Sequence, residues 1–213
     1  MARRNHHSLI EIKNMILDSA EQIIVRDGVA KLTARQIATD IGYTVGSIYM
    51  VFPSMADVVM HFNASTLDSI ADRLAMVREQ EQVVLEQCLE ELAKAYLNYA
   101  SRNFNRWHIL FDYRPNEINK IEIDWFQQRI DALIIQFAIP LQKLAPHRPT
   151  AEITLAAKSL WASIHGIGVL FLVGKPIASP PEQLHESAVL LVRSFIHGWK
   201  HHFNDEHVEL HLA

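Results

Sequence analysis

Apolar residues recur at helical spacing along almost the whole chain, and little interrupts them. The 213 residues include only 7 glycines and 8 prolines. No stretch alternates apolar and polar residues for long enough to demand a sheet, so the periodicity predicts an all-α fold. Apolar residues make up 49% of the sequence, enough for a substantial core. The length suits one or two domains.

Local signals say where the helices begin and end. Ser8 followed by Glu11, and Thr33 followed by Gln36, predict capping boxes. Ser179-Pro180-Pro181-Glu182 places proline where a first turn wants no amide donor. Pro53-Ser54 ends one helix and caps the next, and Gly28 closes the first helix. The expected helices lie near 8–27, 33–41, 44–52, 54–79, 81–103, 105–112, 117–145, 150–174 and 180–204. Three short helices lead and six follow. The expected division is a small front domain, 1–53, and a larger helical domain, 54–213.

Composition narrows the function. The formal net charge of −4 excludes a generally basic nucleic-acid coat, so any nucleic-acid surface must be local. The single cysteine, Cys88, permits neither an internal disulfide nor a cysteine zinc site, and suits a reducing compartment. The uncharged run from Ser159 to Gly174 falls short of the ~20 apolar residues that cross a bilayer, and reads as a buried helix. The N-terminus lacks the apolar run of a signal peptide. A soluble, cytoplasmic protein with no membrane partner is expected. His197 and His201, and His207 and His211, have the i,i+4 spacing of zinc ligands, but no third ligand is evident. They read as solvated, as do Glu90 and Glu91. Neither a metal nor a cofactor is expected. No Ser-His-Asp or Cys-His arrangement and no phosphate-cradling glycine loop argues for an enzyme.

The informative stretch is "IATDIGYTVGSIYMVFPS", residues 37–54. A short helix stops at Gly42, where positive φ costs little, and a second starts at Thr44. Ile37 and Ile41 on the first, and Ile48 and Val51 on the second, face one core. Ala38 lets the two approach closely. This is the spacing of a helix-turn-helix. Val45, Gly46, Ser47 and Met50 are left facing outward, and Thr44 caps amides that can aim at a phosphate.

The segment "LTARQIATDIGYTVGSIYMVFPSMADVV" resembles the DNA-binding unit of the tetracycline-repressor-type (TetR) regulators. The likeness rests on the threonine-capped second helix, Gly46, Ile48-Tyr49, Phe52-Pro53-Ser54 and Val58-Val59, about a quarter of the chain. Near the C-terminal end, "LWASIHGIGVLF" resembles the Trp…His-Gly element of one C-terminal subgroup, with Trp161, His165 and Gly166. The resemblance implies a homodimer that places its third helices in the major groove of a palindromic operator. It also implies a rear domain that binds a small-molecule effector, whose binding releases the DNA, most often as a repressor. Two departures stand out. Met55 takes the place of the family's usual phosphate-contacting lysine, and Val51 that of its His or Tyr. Residues 1–60 balance Arg3, Arg4, Lys13, Arg26, Lys31 and Arg35 against Glu11, Asp18, Glu21, Asp27, Asp40 and Asp57. The runner-up reading is therefore a helical small-molecule-binding protein with weak or lost DNA binding.

The expected DNA contacts are Arg3, Arg4, Thr33, Arg35, Thr44, Val45, Gly46, Ser47, Tyr49 and Met50. Tyr49 either reaches a phosphate or packs the unit; the threonines serve as caps and are placed for phosphates as well. Aromatics crowd the segment 104–126. With Trp161 and His165, they line an effector pocket or fill the core: Phe104, Trp107, His108, Phe111, Trp125 and Phe126. The small face Ser159, Ala162, Gly166 and the stripe Leu184, Ala188, Leu191, Phe195, Trp199 form a dimer interface or ordinary core.

Overall fold

The computed structural model describes residues 7–80, 84–112, 120–173 and 183–201. Among these, the regular elements are α1 (Leu9–Asp27), α2 (Ala34–Ile41), α3 (Val45–Val51), α4 (Met55–Arg78), α5 (Leu85–Arg102), α6 (Phe104–Asp112), α7 (Lys120–Leu144), α8 (Thr150–Leu172) and α9 (Gln183–His201). The nine expected helices are present, with ends shifted by a few residues. One added 3-10 turn, Val29–Lys31, joins α1 to α2. Arg3, Arg4, the Ser179–Glu182 start signal, His207 and His211 lie outside the described residues, as do the side chains of Phe111 and His201.

The caps explain the front helices. Ser8 Oγ accepts from the Glu11 amide at 3.3 Å, and the Glu11 carboxylate accepts from the Ser8 amide at 2.6 Å. That returning bond holds the Glu11 carboxyl below the usual carboxylate range. At α2 only half of the expected box forms. Thr33 accepts from the Gln36 amide at 3.1 Å, but the Gln36 side chain donates to Asp40 at 2.7 Å instead of returning to the cap. Asp40 lies one turn on and offers a charged acceptor, the stronger partner. Gly42 sits at φ 73, the left-handed conformation that ends α2.

The chain divides into two compact units, Met1–Ser69 with Arg102–Ile130, and Ile70–Ser101 with Asp131–Ala213. In the first, Ile16, Ala20, Ile23, Ile37, Ala38, Ile48, Phe52 and Val58 form one core. A second cluster, Ile24, Val59, Phe62 and Ile109, holds α1, α4 and α6 together. In the second unit, α8 packs along α9. Its α5 buries Leu89, Leu92, Tyr96 and Leu97, and its part of α7 buries Leu133, Phe137 and Leu141.

The expectation of a buried helix at α8 holds for one of its sides. The helix buries Ile153, Ala156, Ala157, Leu160, Ile164 and Gly168 on one side only, and Leu155 is 67% exposed. Its length and composition in fact suffice to cross a bilayer, contrary to the expectation from the uncharged run alone. The one-sided burial is what an apolar helix shows when part of its surface is kept for another face.

Candidate DNA-reading surface and effector site

The turn between α2 and α3 is built by backbone bonds. The Tyr43 amide donates to the Ala38 carbonyl at 2.9 Å, and Gly42 donates to Thr39 at 3.3 Å. Thr44 then caps α3, its hydroxyl accepting from the Ser47 amide at 3.2 Å and pairing with Ser47 Oγ at 2.9 Å. Ile48 is buried in the shared core, and Val51 and Ile41 pack against it half-buried.

This anchoring leaves Val45, Gly46, Tyr49 and Met50 exposed, with Met50 at 78%. Ser47 is half-buried and tied to Thr44, so it projects less freely than expected. Thr33 and Arg35 are exposed at the start of α2. Met55 is half-buried and packs against the front core, which accounts for an apolar residue there.

Several contacts around this unit had no local sequence signal. His7 Nδ1 and the Tyr43 hydroxyl lie 2.7 Å apart, fastening the start of α1 to the turn. Lys13 Nζ meets His61 Nε2 at 3.0 Å, while His61 Nδ1 lies 3.0 Å from the Asp57 carbonyl. Arg106 of α6 joins α1 and α4. It pairs with Glu21, donates to Thr66 Oγ1 at 3.0 Å and to Ser65 Oγ at 2.7 Å, and lies over the Phe62 ring. Asn105 adds a 2.8 Å bond to the Val25 carbonyl. Apart from His61 and Asp57, one turn apart on α4, these partners lie tens of residues apart, and only the fold brings them together.

The predicted aromatic set divides into separate groups. Phe104 stands beside Trp107 and His108, and Trp107 is 1% exposed. Trp125 lies 4.9 Å from His61 and 6.5 Å from Phe126. Trp161 and His165 belong to the second unit, where their rings stack at 5.9 Å. There Tyr96, missed in the sequence, bonds its hydroxyl to His165 Nδ1 at 3.0 Å and meets Trp161 in a T-shaped ring contact. Burial lowers the His165 pKa from 6.5 to about 4, so the ring is uncharged at neutral pH.

The expected dimer stripe on α9 also divides. Leu184, Ala188 and Trp199 are buried inside their own subunit, with Ala188 at 0% exposure, and Leu191 and Phe195 are half-buried. Trp199 Nε1 donates to the Leu141 carbonyl at 3.3 Å, and the Arg148 guanidinium lies 4.1 Å from its ring. The correction has a simple cause: an i,i+4 stripe marks an apolar face but not what covers it. Outward positions include Leu190 on α9, at 68%, with Leu155, Ser159, Ala162 and Ser163 on α8, while Gly166 is half-buried.

Comparison with known proteins agrees with this architecture. Residues 16–61 match the tetR family of bacterial regulatory proteins, and residues 89–195 match the tetracyclin repressor-like C-terminal domain. The HTH-type transcriptional regulator TtgR of Pseudomonas putida is 30% identical over 122 residues, 57% of this chain and 53% of that protein. The aligned stretch thus spans about half the length of that relative. A protein of unknown function from a Rhodococcus species has the same fold, with a TM-score of 0.70 at 17% identity, covering 93% of this chain and 98% of that one. A tetR-family transcriptional regulator from Streptomyces coelicolor gives 0.65 at 18% identity, covering 89% and 80%. PfmR, a TetR family transcriptional regulator from Thermus thermophilus, gives 0.61 at 12%, covering 85% and 97%. With a front helix-turn-helix matched and half of its length matched as the corresponding C-terminal domain, this chain belongs to the TetR family of transcriptional regulators.

Proposed function

We propose that this protein is a cytoplasmic, effector-responsive repressor that binds a palindromic operator as a homodimer. The observation that carries the reading is α3. It is anchored by Ile48 and capped by Thr44, and it turns Val45, Gly46, Tyr49 and Met50 outward. Residues 1–53 read DNA, with Arg3, Arg4, Thr33, Arg35 and Tyr49 holding phosphates, and residues 54–213 bind effector and dimerise. The compact units are cut differently because α6 and the start of α7 pack with the front helices.

The outward face of α8 and α9 supplies the dimer interface through Leu155, Ser159, Ala162 and Leu190. Small residues allow close approach there, and the leucines supply apolar area. Effector binding belongs to the second unit, around Trp161, His165 and Gly166 of the Trp…His-Gly element, with Tyr96. An uncharged histidine among aromatics suits a weakly amphipathic, aromatic or lipid-like effector.

The runner-up, a small-molecule-binding protein with weak DNA affinity, draws on the balanced charges of residues 1–60 and on Met55, which packs inward. Fluorescence anisotropy with the DNA flanking the protein's own gene, at two salt concentrations, decides between them. The repressor reading expects tight, salt-dependent binding by a dimer. Binding no tighter than to random DNA of equal length favours the runner-up.

A further inference from the structure

From Ile41 to Ala56 the sequence carries no charged side chain and no side-chain amide. This stretch holds the turn, all of α3 and the start of α4. The usual hydrogen-bonding readers of base edges in the major groove are Arg or Lys for guanine, and Asn or Gln for adenine. On α3 there is none.

What α3 does offer is apolar and continuous. At about 100° per residue, Val45, Tyr49, Gly46 and Met50 occupy one arc of roughly 140°. All four are exposed, whereas Ser47, Ile48 and Val51 fill the opposite side. Of the two hydroxyls on α3, that of Ser47 is engaged with Thr44 at 2.9 Å, and that of Tyr49 is the one assigned above to a phosphate. The protein itself does not require a glycine at position 46, because an added Cβ would meet only Thr44 Oγ1, at an ordinary 3.7 Å. A missing side chain at the centre of an exposed face serves close approach by something outside the chain. In the major groove the one apolar group that identifies a base is the C5-methyl of thymine.

We infer that α3 recognises its operator half-site chiefly through thymine C5-methyl groups, with Val45 and Met50 as the contacting side chains and Gly46 permitting the approach. The inference rests on the DNA-binding reading above and gives that surface its specificity.

The test begins with repeated selection of a random double-stranded DNA library on the full-length protein. The enriched duplex is then resynthesised with uracil in place of thymine, one half-site position at a time. Uracil keeps the pairing and the phosphates and removes only the methyl group. Enriched half-sites containing thymine are expected, with about four-fold weaker binding for each contacted methyl removed, the ratio corresponding to ~0.8 kcal/mol for burying one such group. Met50→Ala should erase the thymine–uracil difference at one position and leave it at another. Equal binding of the thymine and uracil duplexes, within two-fold, overturns the inference while leaving DNA binding intact. Undiminished discrimination in both Met50→Ala and Val45→Ala overturns it as well. Failure of any sequence to enrich overturns the DNA-binding reading itself, and this inference with it.

Discussion

One guanidinium joins three helices in the first unit: Arg106 of α6 engages Glu21 on α1 and Ser65 and Thr66 on α4. The second unit is fastened differently. Ion pairs tie α5 to α9, Glu90 to Arg193 and Glu86 to Lys200, and α8 packs along α9 in an apolar seam, the two helices burying Ala157, Leu160, Ala188 and Val192. Directed polar bonds depend on a fixed geometry, and a small displacement breaks them. An apolar seam tolerates repacking but not a charge. The same contrast marks the surfaces each unit leaves open. In the first it is the uncharged face of a seven-residue helix; in the second it is leucines on long helices.

The largest expected effect separates two positions on α9 that are two residues apart. Ala188→Arg places an unpaired charge in the seam, which costs several kcal/mol. Loss of the cooperative unfolding transition of the second unit, followed by circular dichroism, is the expected outcome. Leu190→Arg alters a residue that is 68% exposed, so the subunit should remain folded. If the outward face makes the dimer, light scattering should show half the native mass, and operator affinity should fall by at least two orders of magnitude. A folded Ala188→Arg protein would break the comparison, and a dimeric Leu190→Arg protein would move the interface.

A smaller effect is set by pH. His165 titrates near 6.5 in the unfolded chain and at about 4 in the fold, with burial as the cause. Between those values the unfolded state binds the proton and the native state does not, so stability is lost as pH falls. The contribution is complete above ~6.5 and disappears by about 4, worth about 2 kcal/mol once partial solvent access is allowed for. The His165→Gln variant should show a flatter stability profile across that window. An unchanged profile would mean that the second unit does not hold this ring neutral.

In the first unit, Arg106→Lys keeps the charge but loses the planar fork that reaches three partners. A loss of ~1–2 kcal/mol is expected, on the scale of hydrogen bonds to a charged group. Because Glu21 is 43% exposed, it remains hydrated when its partner goes. Thermal denaturation of Arg106→Lys beside Arg106→Ala would show how much of the clamp is geometry and how much is charge.

The parts of this molecule that are legible in the sequence are those in which cause and effect lie within one helical turn. The Ser8–Glu11 box, Gly28, Gly42, the Thr44 cap and the burial of Ile37 and Ile48 all follow from local spacing. The failures arise where a face has two possible covers. The Leu184–Ala188–Trp199 stripe is apolar, as its spacing implies, but periodicity carries no information on whether the same chain or another copy lies against it. Trp107 and Trp125 are equally visible as aromatics, yet the first is buried beside Phe104 and the second stands against His61. The Arg106 clamp and the Tyr96–His165 bond join residues 40 to 85 positions apart, and no local rule reaches them.

The smallest effect lies on the reading face, and it tests whether that face is functional surface or packing. Tyr49 is 48% exposed on α3, so removing its hydroxyl should leave the melting temperature unchanged. If the hydroxyl reaches a phosphate, Tyr49→Phe should lose ~1 kcal/mol of operator affinity, about five-fold in Kd. The salt dependence should not change, because a neutral donor displaces no counterion, whereas Arg35→Ala should lower the slope by about one unit. Anisotropy titrations of both variants over a range of salt concentrations separate these contributions. Reduced stability with unaltered affinity per folded molecule would assign Tyr49 to the packing of the first unit. The reading face would then contract to Val45, Gly46 and Met50, and phosphate contacts would have to come from α2 and the charged residues around it.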